Sequence, residues 1–392
     1  MNKLDLLFQL TTEELANLRF QFGTSSFTHG SRRKPIFILR GWPTLCALLL
    51  AVTVVSARAA TETAIPVVEP FLMLSGALLK DSFDGPQLDS TLWSRPSWLV
   101  ENHKTIEVNV ENGHLVISGA SHPEKQNHQY AGVISKYFRE TDVVLAAEMQ
   151  AQSRFEQKGR IEHMVHLCSG DYPDFFTEII FGRNAGVEAP RWYTAYLAKV
   201  WEYSGYSDYL DPIRRASEAE ASQWHTVVLT HDGTTSKTQN YIVADGKWMP
   251  IGPSHSVRFN HTHIELKVDV NVAAVPVRML VDNVRLYPNP AHTPVTIVVY
   301  TGVSGNKPKL PIHNQKVEIF EEGSPRLLGE AVTDEGGEAR VSLRTDVLFP
   351  VAATITVSDG ATPIARASIP RKDVNGLYPG DVWALDLRHK KK

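Results

Sequence analysis

RIEHMVHLCSG (160–170), DYPD (171–174), FFTEIIFGRN (175–184) and, after a loop, WYTAYLAKVWEY (192–203) are the stretch on which the fold turns. Its runs are rich in β-branched and aromatic residues, and Asp171–Asp174 supplies turn residues between the first two. The pattern predicts three consecutive antiparallel strands. Strand side chains alternate between faces. The odd positions Ile161, Val165, Leu167, Ile179, Phe181, Ala195 and Leu197 are apolar, with His163 and Thr177 as exceptions. The even positions Arg160, Glu162, Met164, His166, Glu178, Ile180, Tyr196 and Glu202 gather carboxylates, an imidazole, a guanidinium and a phenol. One face can enter a core while the other lines a polar cleft. A hairpin centred near Tyr172 would set Glu178 opposite His166 and Glu162 opposite Gly182, leaving the two glutamates diagonal. A slip of one residue would invert both faces.

The same grammar extends outward. Before this stretch, IEVNVENGHLVISG (106–119) places Asn112-Gly113 between two alternating runs, a strong hairpin signal. YAGVISKYF (130–138) and DVVLAAEMQAQ (142–152) read as further strands. After it come WHTVVLTHDG (224–233), QNYIVADGKWMPIG (239–252), HIELKVDVNV (263–272) and VRMLVDNVRLYP (277–288). About a dozen short strands separated by turn signals argue an all-β sandwich, placed here at 79–289. Its one helical candidate is Arg214–Ser222. Pro288-Asn289-Pro290 and Pro294 then mark a linker. VTIVVYTGV, QKVEIFEEG, LLGEAV, GEARVSL, ATITVSD and PIARASI read as the strands of a second, smaller sandwich at 293–388, with a hairpin turn at Asp334–Gly337.

Bulk properties bound the function. The chain has 392 residues, 43% of them hydrophobic and 21% charged, which is globular composition with room for two or three domains. A net charge of −3 gives no ground for nucleic-acid binding. Arg32, Arg33, Lys34 and Arg40 precede an apolar run from Pro43 to Val55, and Ala57-Arg58-Ala59 follows. That succession reads as a secretory signal peptide cleaved after Ala59, the run being short of the ~20 residues of a membrane span. Residues 1–59 are thus an N-terminal extension plus signal, and 60–78 a linker. The product would be secreted, periplasmic or at the cell surface, with no integral membrane segment. The two cysteines are Cys46, in the removable segment, and Cys168, expected as a buried thiol.

Three resemblances add to this reading. Residues 7–35, LFQLTTEELANLRFQFGTSSFTHGSRRKP, resemble a fragment of the N-terminal domain of phage-type KilA-N/antirepressor DNA-binding proteins. The piece is too short to fold alone, and no DNA binding is carried over. DSFDGPQLDSTLW (81–93), VENGHLVISG (110–119), YAGVISKYF and VRMLVDNVRLY resemble, in order, the strand pattern of concanavalin A-like lectin/glucanase jelly rolls. Laminarinase-type hydrolases and secreted sugar-binding modules share that pattern. The resemblance implies two sheets whose concave face meets a glycan. The Glu-x-Asp-x-x-Glu strand motif of the laminarinase-type enzymes is absent. NQKVEIFEEGSPRLLGEAVTDEGGEARVSL (314–343) resembles the transthyretin-like, carboxypeptidase-regulatory β-sandwich and implies a spacer or interaction module.

These observations select the candidate residues. Glu162, His166 and Glu178 are the candidate catalytic set, because two carboxyls flanking a glycosidic bond can hydrolyse it and histidine moves protons near neutral pH. Arg160, Tyr196, Tyr203, Tyr206 and Tyr209 are candidate sugar contacts, since sugar C–H faces pack on aromatic rings. His128 and Tyr130 share a strand face and resemble the His/Tyr pairs of jelly-roll lyases. His261 and His263 lack a third ligand at set spacing, so no metal site is assigned. No cofactor is expected, and a structural calcium ion is left open. The leading expectation is an extracytoplasmic polysaccharide-binding protein. A divergent glycoside hydrolase or polysaccharide lyase is the first alternative, and a structural or adhesive surface protein the second. The partner is a glycan; oligomeric state is not legible.

Overall fold

The computed structural model describes residues 65–96, 105–124, 128–155, 159–170, 175–183, 190–197, 222–304 and 307–390. Among these there is no helix. The first strand is β1 (Val68–Leu74). There follow β2 (Leu79–Asp81), β3 (Trp93–Ser94), β4 (Ile106–Glu111), β5 (His114–Ala120), β6 (Gln129–Ser135), β7 (Val143–Ala151) and β8 (Ile161–Ser169). Next are β9 (Phe175–Arg183), β10 (Arg191–Leu197), β11 (His225–Asp232), β12 (Lys237–Ala244), β13 (Lys247–Ser256), β14 (His263–Val270) and β15 (Pro276–Pro288). They build a six-stranded sheet, β10-β9-β8-β14-β6-β3, and an eight-stranded sheet, β13-β12-β11-β7-β15-β5-β4, with β2 beside β15. This is a two-sheet jelly-roll β-sandwich. Its core lies between the sheets, where Val165, Phe181, Trp192 and Ile264 meet Ile117, Leu145, Val227 and Met279.

The second sandwich comprises β16 (Val295–Ser304), β17 (Lys307–Pro311), β18 (Lys316–Glu321), β19 (Leu327–Val332), β20 (Glu338–Val341), β21 (Ala353–Asp359), β22 (Thr362–Ile369) and β23 (Val382–Lys390). One of its sheets runs β1-β23-β16-β17, with β20 on β16; the other runs β19-β18-β21-β22. The β16–β23 pair is parallel. The two sandwiches share a core. Val143, Leu145 and Ala147 of β7 face the jelly-roll interior, whereas Val144 and Ala146 pack with Tyr287, Phe349 and Tyr378. The unbroken apolar run VVLAA (143–147) is therefore a strand buried on both faces, which needs no alternation.

Residues 60–78, expected as a linker, contain β1, which leaves the jelly roll and completes the second sandwich. Its register on β23 runs from Val68↔Lys390 to Leu74↔Val382. Val68 is 1% exposed, whereas Phe71 is 65% exposed. The sequence hides this because Glu69 and Pro70 interrupt an edge strand whose partner lies at the opposite end of the chain. The outcome is testable by paired substitution. Val68→Asp should lose several kcal/mol of stability in urea denaturation, because it buries an unpaired charge. Phe71→Asp should stay within about 0.5 kcal/mol of wild type. Equal effects would mean that 68–74 is no strand.

Candidate functional site

The site is the face of the six-stranded sheet turned away from the core. The β8–β9 hairpin takes the register expected from a turn at Tyr172: His166 pairs Glu178, and Glu162 pairs Gly182. On the other side of β8, β14 sets Cys168 opposite His263, His166 opposite Glu265, Met164 opposite Lys267 and Glu162 opposite Asp269. β6 extends the rows, with Tyr130 opposite Asp269. The even residues of β8 and β9 and the odd residues of β14 thus form one polar ladder. Glu162, His166, Glu178, His263, Glu265, Lys267 and Asp269 are each only 2–4% exposed. The expected polar face exists, but its charged groups are buried rather than open to solvent.

Burial forces these groups to satisfy one another. His166 Nε2 contacts Glu178 Oε2, and its Nδ1 lies 3.6 Å from Glu265 Oε2. Lys267 donates to Glu265 Oε2 at 2.7 Å, and His263 Nε2 lies 3.6 Å from Glu265 Oε1. Burial alone would raise the Glu265 carboxyl, but Lys267, with His263 and His166, holds it well below the usual range. The same ion pair raises Lys267 against the opposing effect of its own burial. Asp269 Oδ2 takes His128 Nδ1 at 2.8 Å and Arg160 Nη1 at 3.4 Å. Arg160 Nε also approaches Glu162 Oε1, at 3.6 Å, and the Tyr193 hydroxyl donates to the same oxygen. These contacts do not offset the desolvation of Glu162, whose pKa is raised to about 8, with the neighbouring Asp269 charge adding to the rise. Burial thus favours the neutral acid form of Glu162.

The expected site residues separate accordingly. Glu162, His166, Glu178, Arg160, His128 and Tyr130 belong to the ladder or its edge. His128 and Tyr130 stack with centroids 5.9 Å apart, and Lys267 Nζ sits 5.5 Å from the Tyr130 ring. Tyr196 does not belong. β10 pairs Ala195 with Glu178 and Tyr196 with Thr177, so Tyr196 points to the core side and stacks on His255 at 3.8 Å. The length of the β9–β10 connection decides that parity, and it reverses the expected faces of β10. It brings Tyr193 to the ladder instead. Tyr203, Tyr206, Tyr209 and the helical candidate's residues 214–221 lie outside the described residues. His163, the polar exception on the core face, is a satisfied core histidine. It bonds Ser153 Oγ at 2.7 Å and the Phe181 carbonyl at 3.0 Å, and burial lowers its pKa to about 4. Sequence reasoning missed Glu265, Lys267 and Asp269, although their alternation in HIELKVDV signals one polar face. It also missed Tyr137, 53% exposed, whose ring lies 5.1 Å from His261 and 4.9 Å from His263.

No protein-family model matches this chain, and no curated protein does. Solved structures of similar fold exist. One, described with endo-acting O-glycanases of the human gut microbiota, is 15% identical with a TM-score of 0.41, covering 54% of this chain and 98% of its own. A pseudo β-1,3-glucanase of Mycobacterium tuberculosis is 18% identical with a TM-score of 0.39, covering 55% and 99%. The catalytic domain of a Thermotoga petrophila laminarinase is 16% identical with a TM-score of 0.37, covering 56% and 98%. Likeness at this level says nothing about activity.

The Glu162 environment makes a pH prediction. Its folded pKa lies above the unfolded value of 4.5, so the native state holds a proton that the unfolded state releases. The resulting stability is complete below about pH 4.5 and is lost as pH rises towards 8, by roughly 1.4 kcal/mol per pH unit at most. Glu162→Gln should remove this slope. Denaturation of both proteins from pH 5 to 9 should show wild type losing stability relative to the variant as pH rises. Parallel curves would place the Glu162 pKa in the ordinary range.

Proposed function

We propose that this chain is an exported glycan-binding protein whose site is the edge of the polar ladder. The observation that carries the reading is that every ladder carboxylate is engaged by a cation, an imidazole or a hydroxyl. Glu178 is held by His166, Glu265 by Lys267 and Asp269 by Arg160 and His128. Such an array orients polar groups rigidly and leaves its more exposed members to meet the ligand. These are His128, with 46% of its side chain exposed, Arg160 with 19%, and the rings of Tyr130 and Tyr137. Planar polar groups flanked by aromatic rings suit the hydroxyls and C–H faces of a sugar. The concanavalin A-like resemblance points the same way, and the transthyretin-like resemblance of the second sandwich supports a spacer beside the binding domain. The basic, apolar and Ala-x-Ala succession at 32–59 supports export.

A second reading, glycoside hydrolysis, is favoured by one feature. Burial favours the neutral acid form of Glu162, which stands directly across the β8–β14 pair from Asp269. Directly opposed strand residues have Cβ atoms ~4.5–5.5 Å apart, which puts two carboxyl groups on neighbouring positions of one face, as a pair flanking a glycosidic bond requires. Glu162 and Glu178, the pair expected to do this, are diagonal. Arg160 bridges Glu162 and Asp269, which favours binding over attack.

A glycan array with the full chain should identify a ligand; none on a broad array would leave a structural or adhesive spacer. With a ligand in hand, Arg160→Gln should weaken affinity about 10- to 150-fold, the loss of one charge-assisted hydrogen bond of roughly 1.5–3 kcal/mol. Tyr137→Ala should weaken it roughly two- to twelve-fold. Neither wild type nor variant should release sugar products. Product release by wild type that disappears in Glu162→Gln, with binding kept, would establish hydrolysis instead. Export is checked by N-terminal sequencing of protein from the producing cell. A first residue near Ala60 is expected, and an intact Met1 counts against cleavage.

A further inference from the structure

One corner of the ladder has a chemistry that glycan binding does not use. Cys168 and His166 are two residues apart on β8; His263 and Glu265 are two residues apart on β14. Spacing of two puts each pair on one face, and the strand register sets Cys168 opposite His263 and His166 opposite Glu265. Four donors therefore occupy the corners of a square of adjacent strand positions. One ligand atom each from His166, Cys168 and Glu265 already lies within 4.8 Å of the others. His263 stands at the fourth corner, with Nε2 3.6 Å from Glu265 Oε1, outside the set of three whose ligand atoms all lie within 4.8 Å of one another. All four residues are buried, at 3–6% exposure. We propose that His166, Cys168, His263 and Glu265 are the ligands of a tetrahedral transition-metal site, for which Zn²⁺ is the fitting ion.

Two further observations point to a ligand there. The Nδ1 atom of His263 is buried and has no hydrogen-bond partner, a cost that a metal or a bound proton acceptor would relieve. A half-turn of the ring about its Cβ–Cγ bond exchanges the sides on which the two nitrogens lie. The second observation is Glu178. It engages Nε2 of His166 and leaves Nδ1 on the Glu265 side. A carboxylate on one imidazole nitrogen, with the other turned to the site, is the arrangement that orients metal-bound histidines.

The donor set selects the ion. One thiolate, two imidazoles and one carboxylate suit zinc or its tetrahedral analogues. Calcium and magnesium demand oxygen donors and more of them. Binding forms the S–Zn bond and breaks the S–H bond, with the proton released to solvent. Glu265 can ligate through Oε1 while Oε2 keeps its 2.7 Å contact with Lys267. Sequence spacing could not show this site, because its halves lie about a hundred residues apart on strands joined only by the register.

The test is Co²⁺ titration of the full chain under reducing conditions, with no glycan present, so that its result is independent of the glycan reading. One equivalent should bind with the intense visible absorption of tetrahedral cobalt and a near-ultraviolet thiolate-to-cobalt charge-transfer band. Zn²⁺ should displace it. Cys168→Ser should abolish the charge-transfer band, and Cys46→Ser should leave it unchanged. Glu178→Gln should keep the band but weaken affinity roughly 10- to 100-fold. If Cys168→Ser does not fold, the band in Cys46→Ser decides, because Cys168 is then the one thiol left. The proposal is overturned by a wild-type protein that gives no tetrahedral cobalt spectrum. It is equally overturned by a charge-transfer band that survives in Cys168→Ser or is lost in Cys46→Ser.

Discussion

A carboxylate taken out of water must find a cation or keep a proton, and the polar side of the six-stranded sheet is arranged around that constraint. Glu265 finds Lys267, Asp269 finds Arg160 and His128, and Glu178 finds His166. Glu162 has only a guanidinium at 3.6 Å and a phenol, and it keeps its proton instead. The difference among four carboxyls on adjacent strand positions is therefore one of partners, not of depth. Breaking any of these pairs would strand the other member in a dry site, so the ladder behaves as a unit.

The ladder exists because the other side of the same strands is committed to a core. Val165, Leu167, Ile179 and Phe181 cannot leave the jelly-roll interior without losing their burial. That fixes the β8–β9 register, since a slip of one residue would carry the carboxylates inside. Where a connection changes parity, as between β9 and β10, the apolar commitment still wins. Trp192 takes the core position beside Phe181, at a centroid distance of 5.0 Å, and Tyr193 is turned to the ladder.

The eight-stranded sheet has no solvated side along Val143–Ala147 of β7, because the second sandwich packs against Val144 and Ala146. Tyr287, at the end of β15, packs against Phe349 and Tyr378 at centroid distances of 5.8 and 5.7 Å. This shared core joins the two sandwiches more firmly than a flexible linker would. The polar ladder lies on the other sheet, on the side of the six strands turned away from the core.

The sequence alone determined the all-β class, most strands, the polar face of β8 and β9, and their register. Each of these follows from alternation and turn residues, which are local. It did not reveal that Glu265, Lys267 and Asp269 join Glu162 and His166, nor that Tyr196 faces the core. It also left β1 unrecognised, because that strand is defined by its partner at the far end of the chain. Alternation tells that a strand has a polar face but not which neighbour shares it. Pairing across about a hundred residues, and the parity of a loop, are set only when the sheets close on one core. Protonation is decided there too. Glu162 and Glu265 are the same side chain with the same intrinsic acidity, and both are buried; burial prevails over a guanidinium at 3.6 Å for Glu162, whereas an ammonium at 2.7 Å prevails over burial for Glu265.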